Sequence, residues 1–115
     1  MALKNATKNI DLVYNVKFCK NSLTKSIGLM FSKKLDDKAL IFVFKKENIV
    51  PLHMFFVFYP IDVLFLNKDK EVVELKESLK PFHLLTPKKG AKYVIELPSD
   101  LIRKTRTEVG DKISF

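Results

Sequence analysis

A chain of 115 residues with 47% hydrophobic and 30% charged side chains can bury one core and is too apolar for a disordered tail. Its 21 basic residues outnumber 13 acidic ones, for a net charge of +8, and 19 of the 21 are lysine. That charge attracts polyanions without selecting among them, and the scarcity of arginine argues against base-edge reading. One cysteine, Cys19, excludes an internal disulfide and a cysteine-based zinc site.

The first ten residues lack the apolar stretch of a signal peptide. The longest apolar runs, 39–44 and 54–59, are six residues each and too short to span a bilayer. The chain is therefore expected in the cytoplasm, away from membranes. It reads as a single domain over 1–115, with 1–9 as a flexible N-terminal segment. Asn5-Ala6-Thr7 matches a glycosylation sequon but has no secretion signal to go with it.

Ile10, Leu12, Tyr14, Val16 and Phe18 alternate with Asp11, Asn15 and Lys17, which predicts a strand with one wet face. Asn21-Ser22 offers a cap for a short helix to about Ile27, ended by Gly28. Residues 39–44 are apolar on both faces, as in a strand covered on both sides. Residues 45–50 form a charged connection, and 52–58 return as a doubly apolar run. Pro60 interrupts before another doubly apolar strand, 61–66. Asn67-Lys68-Asp69-Lys70 is a turn by composition, and 71–75, extending toward Leu79, is the second arm of a hairpin.

Residues 80–90, with Pro81, Pro87 and Gly90, read as a long loop. Tyr93, Ile95 and Leu97 alternate with Lys92 and Glu96 in a second half-wet strand, which puts Glu96 on the wet side. Ser99 caps a short helix to about Lys104, and Gly110-Asp111 turns the chain into a last strand, 112–115. The fold class is thus mainly β (α+β by strict count). The architecture is a single small bent-sheet or barrel-like domain with two short helices.

The order of several motifs resembles a known family. They are Gly28-Leu29-Met30-Phe31, Phe42-Val43-Phe44, His53-Met54-Phe55-Phe56, the 60–66 segment Pro-Ile-Asp-Val-Leu-Phe-Leu, the 93–97 segment Tyr-Val-Ile-Glu-Leu, and Val109-Gly110-Asp111. Together they resemble the uncharacterised domain of unknown function 192, over about 18–115. Many members carry Trp-Met-Lys-Asn-Thr where this chain has His53-Met54-Phe55-Phe56-Val57, so the polar Lys and Asn are absent here. The resemblance implies a compact β-rich barrel with short helices and no known activity.

Asp62 is the only charged residue between Glu47 and the turn that starts at Asn67. A carboxylate at the mouth of an apolar strand must be hydrogen-bonded or paired. It reads first as an acceptor of backbone N–H groups that fixes the Pro60 turn, and second as a ligand anchor or general base. His53 lies in an aromatic run and His83 in the 81–87 loop. With Asp62 they lack the spacing of a metal site, so no metal and no cofactor are expected. There is no GxSxG and no glycine-rich phosphate loop, and Glu71 and Glu74 face opposite sides of one strand.

The leading expectation is a binding module for a small ligand or a protein, with Met54, Asp62, His53 and Met30 at the ligand site. One alternative is a small enzyme using Asp62 and His53 in acid–base chemistry. Another is a nucleic-acid accessory protein, with weak polyanion binding through Lys80, Lys88, Lys89 and Lys92 beside Phe82, His83 and Tyr93. The oligomeric state is left open.

Overall fold

The structure, a computed structural model, describes residues 2–21 and 34–115. The helix expected over 22–27, Gly28 and Met30 lie outside the described residues. The described elements run β1 (Leu3–Asn5), β2 (Ile10–Val13), β3 (Asn15–Cys19), β4 (Lys38–Asn48), β5 (Leu52–His53), β6 (Ile61–Leu66), β7 (Val72–Leu79), β8 (Leu84–Leu85), β9 (Ala91–Pro98), α1 (Leu101–Thr105) and β10 (Ile113–Ser114).

They assemble into a five-stranded sheet ordered β3-β4-β9-β6-β7, a three-stranded sheet β10-β1-β2, and a two-stranded ribbon β5-β8. The β-rich expectation holds, in its open-sheet form, because β3 and β7 are edges that do not pair with each other.

The strand expected over residues 10–18 is two strands. At Tyr14 the backbone N–H leaves the ladder and donates to Asp37 Oδ1 at 3.0 Å. The chain before it stays with β1, and the chain after it runs parallel to β4. The break also shifts the phase. Leu12 and Val13 are both buried, and Tyr14 and Phe18 are exposed.

The central strands β4, β6 and β9 are apolar on both sides, because both faces of the large sheet are covered. One face packs Ile41, Leu64, Ile95 and Leu97 against Leu3, Val13, Ile102 and Ile113 of the small sheet and helix. The other packs Leu40, Phe42, Val63, Phe65 and Val94 against Val50, Met54, Val57 and Tyr59. The β6–β7 hairpin turns where expected: Asn67 Oδ1 accepts the N–H groups of Asp69 at 2.9 Å and Glu71 at 3.0 Å.

The N-terminal segment departs from expectation. Residues 3–5 form β1 between β10 and β2, with Leu3 and Asn5 fully buried. Asn5 Nδ2 donates to Thr107 Oγ1 at 3.0 Å and to Asp111 Oδ2 at 2.9 Å. Lys8 Nζ donates to the same Asp111 oxygen at 2.6 Å, and the Glu108 backbone N–H also donates to it, at 3.1 Å. The sequon asparagine is thus a core residue.

Burial works to raise the Asp111 pKa, but hydrogen bonds from Lys8, Asn5 and the Glu108 N–H outweigh it and hold the carboxyl below its ordinary range. A lowered carboxylate pKa gives stability above the unfolded value that is lost as pH falls through the folded one. Asp111→Asn is therefore expected to destabilise at pH 7 by about 1–3 kcal/mol. In thermal melts the gap to the parent should close as the solution is acidified below the carboxylate range. A gap that persists unchanged in acid would mean that packing, not charge, makes the contribution.

Candidate functional site

The ribbon is the least expected part of the molecule. Residues 48–61 and 81–87 contain no Asp, Glu, Lys or Arg, in a chain where these make up 30%. Both segments meet at Met54. Its N–H donates to His83 O at 2.8 Å, and its carbonyl accepts the N–H of Phe82 at 2.8 Å and of Val57 at 3.2 Å. Outside this clasp β5 pairs with β8, Leu52 opposite Leu85 and His53 opposite Leu84.

The doubly apolar run over 52–58 is therefore not one strand. It leaves the ladder after His53, and Phe56 takes a left-handed backbone with φ 59°. That turn sends Met54, Val57 and Tyr59 into the core and His53, Phe55, Phe56 and Phe58 to the surface. The long loop expected over 80–90 likewise contains β8. Its Phe82 is also left-handed, at φ 62°. Side chains with a Cβ adopt this region at a cost of about 1–3 kcal/mol.

Phe58 is 63% exposed, Leu84 67%, Phe82 49%, and Phe55 and Phe56 45% each. The rings are ordered against one another. Phe82 meets Phe58 at 5.4 Å and Phe56 at 6.3 Å, edge to face in both cases. His53 stacks on Phe55 at 5.2 Å, and its Nδ1 accepts the Phe55 N–H at 3.3 Å.

The residues singled out from sequence fall in different places. Met54 is buried beneath the ribbon and His53 lies exposed upon it. Asp62 is fully buried in β6. Its Oδ1 accepts the Ser78 N–H at 2.9 Å and its Oδ2 the Ile102 N–H at 2.8 Å. Its backbone partners thus come from β7 and from the first turn of α1, not from the Pro60 turn.

Asp62 does what a cap residue would do for α1. Asp100 at the cap position makes no side-chain cap bond, and Ser99, the expected cap, pairs with the Ser78 hydroxyl at 3.2 Å. No hydrogen bond joins Asp62 to His53. His83 is exposed, with Nδ1 at 3.0 Å from Pro81 O. Among the described residues no group of three His, Cys, Asp or Glu is placed to hold a metal.

Of the four lysines, Lys80, Lys88 and Lys89 are exposed. The backbone N–H groups of Lys88 and Lys89 both donate to Glu74 Oε1 at 2.9 Å, which fixes the loop after β8. Lys92 turns inward: its Nζ donates to Phe44 O at 2.6 Å and Lys45 O at 3.1 Å.

Two ionisable groups stand apart from their sequence reading. Glu96 was expected on a wet face. It is buried in β9, in register between Leu40 and Val63, and burial pushes its carboxyl up to about 7. Its phase with Val94 and its position between Ile95 and Leu97 were the only signals of this. Cys19 is buried at the end of β3, and burial pushes its thiol up despite Lys17 and Lys38, so it is not poised as a nucleophile.

A groove of about 340 Å³ opens elsewhere, between Leu12, Val13, Pro98 and Leu101. Lys34, Lys104, Asp36 and Asp100 also line it, and none of the described residues proposed from sequence does. Among the described residues no helix is long and apolar enough to cross a membrane.

A family model for domain of unknown function 192, described as "Uncharacterized ACR", matches residues 3–115. A UPF0127 protein of Pyrococcus furiosus is 39% identical over 113 residues, which is 96% of this chain and 95% of the relative. A Novosphingobium aromaticivorans protein of unknown function superposes with a TM-score of 0.87 at 21% identity, over 99% of this chain and 82% of that one. A Sinorhizobium meliloti protein described as a candidate transcription regulator gives the same score at 22% identity, over 98% and 89%. At such identities these two structures share the fold.

Proposed function

The chain belongs to the uncharacterised domain of unknown function 192 family, and from that premise we propose that it is a binding module whose contact surface is the β5–β8 ribbon. The observation that carries this is the exposure of Phe55, Phe56, Phe58, Phe82 and Leu84 on one uncharged segment pair. A chain this rich in lysine has side chains to place there at no cost to the core. Contiguous apolar surface that is kept exposed marks a contact site. Left-handed Phe56 and Phe82 add to the case, since strain is tolerated where it presents a functional group.

The enzyme alternative has less support. The Asp62 carboxylate is fully buried and held by two backbone N–H groups. His53 is on the surface, hydrogen-bonded within its own turn.

A contact surface should be dispensable for folding. Phe55→Ser/Phe58→Ser/Leu84→Ser is expected to melt within a few degrees of the parent and to bind far less of the apolar dye bis-ANS. Surface replacements away from structural features usually stay within about 0.5 kcal/mol each. A fall of tens of degrees would show that these side chains hold the fold, and the reading would fail.

A further inference from the structure

We propose that the ribbon takes single-stranded nucleic acid, with bases stacking on its rings and phosphates meeting the lysines around it. This rests on the ribbon being a contact surface and adds the chemistry of its occupant.

The surface is a set of flat rings rather than an aliphatic patch. Phe55, Phe56, Phe58 and Phe82 are all between 45% and 63% exposed, and the imidazole of exposed His53 is already stacked at 27° on Phe55. Edge-to-face contacts at 70° and 71° hold Phe58 and Phe56 against Phe82, so the rings do not close into a stack of their own. Every base has a face to stack, so such a platform is tolerant of sequence.

Charge selects the partner. The uncharged segment 81–87 is bounded by lysine at both ends, and the segment 48–61 by Glu47, after a lysine pair, and by the buried Asp62. Lys45 and Lys46 precede the first, and Lys80 precedes and Lys88 and Lys89 follow the second. All five are exposed. Glu47 and Glu74 also lie near these ends, but each caps backbone N–H groups, of Lys68 and of Lys88 and Lys89.

Exposed lysines that flank the uncharged segments along the chain complement a strand that carries phosphate outside and bases within reach. A second copy of this protein would bring +8 against +8. Duplex DNA keeps its bases stacked inside and cannot use the rings. The near absence of arginine fits backbone tracking and stacking without base-edge readout.

The test is fluorescence anisotropy with labelled oligothymidylate and oligouridylate of about twelve nucleotides, inside the ~4–16 nucleotide span of small β-fold sites. A duplex of the same length is the comparison, at fixed low salt. The parent is expected to bind single strands more tightly than duplex. Phe55→Ser/Phe58→Ser, shown folded by circular dichroism, is expected to bind them at least ~10-fold more weakly, given the loss of stacking at two rings. Preference for oligothymidylate supports a DNA occupant and for oligouridylate an RNA one.

No binding to either strand, equal binding to duplex, or binding unmoved by the two replacements overturns the proposal. Vesicles containing phosphatidylserine and sedimentation velocity are run beside it on both proteins. If the two phenylalanines matter only there, the occupant is wrong and the contact surface stands. If they matter nowhere, both readings fall.

Discussion

Glu96→Gln is expected to stabilise the protein at pH 8 by about 3 kcal/mol and to change little at pH 4. The Glu96 carboxyl is buried between Leu40 and Val63, and burial pushes its pKa from 4.5 up to about 7. The folded protein therefore keeps a proton that the unfolded chain has released over this interval. Its contribution is fully present below about pH 4.5, declines as pH rises, and is gone above about 7. Each unit of displacement corresponds to about 1.4 kcal/mol, which sets the size of the effect.

Glutamine keeps the shape and cannot ionise, so the variant should lack the decline. Urea unfolding of both proteins at the two pH values measures the difference. A variant less stable than the parent at pH 8 would mean that the ionised carboxylate has a favourable partner, and burial would not be the governing cause.

Asp62→Ala is expected to cost about 2–4 kcal/mol, and Asp62→Asn less. The carboxylate receives two backbone N–H groups, and removing it orphans both. Ser78 is exposed and water can replace the lost acceptor there, whereas Ile102 is buried and its N–H has no substitute. An unmet buried donor costs about 1–3 kcal/mol, and bonds to a charged acceptor are the stronger ones.

Asparagine keeps one acceptor oxygen but turns an NH₂ toward the second donor, so part of the cost remains. The same helix end has no other cap, since Asp100 makes no side-chain bond there. The alanine variant should melt about 8–16 °C lower, at roughly 4 °C per kcal/mol for a domain of this size. If both variants kept full stability, Asp62 would be a carboxylate held at a cost for function, and the acid–base reading would move ahead.

The two-sided strands were legible because their apolar residues occupy both phases, as 61–66 does. The hairpin after them was legible from the polar turn at 67–70, whose Asn67 side chain closes it. Tyr14 was not legible as a break, because its new partner, Asp37, is 23 residues away. Asp62 could be recognised as a residue needing donors, but Ser78 and Ile102 are 16 and 40 residues distant.

The ribbon was hidden for a different reason. Two-residue strands have no period, and apolar side chains at both phases read as buried. Met54, Val57 and Tyr59 are buried, while Phe55, Phe56 and Phe58 are not. Only the left-handed turn at Phe56 separates the two groups. Glu96 failed by the opposite error: a charged residue in an alternating strand reads as wet, and here the second face is covered too.

The central claim is that the ribbon, and not the groove beside Leu12 and Leu101, is where this module makes contact. Amide shifts in a ¹H–¹⁵N correlation spectrum, followed while bis-ANS is added, test it most directly. That probe joins aromatic rings to sulfonate anions and so asks for the two chemistries the ribbon offers. The account expects shifts gathered at 52–58 and 81–85, with Lys80 and Lys88 at their margin. Shifts gathered at Leu12, Pro98 and Leu101, with 52–58 unmoved, would contradict it and place the site in the groove.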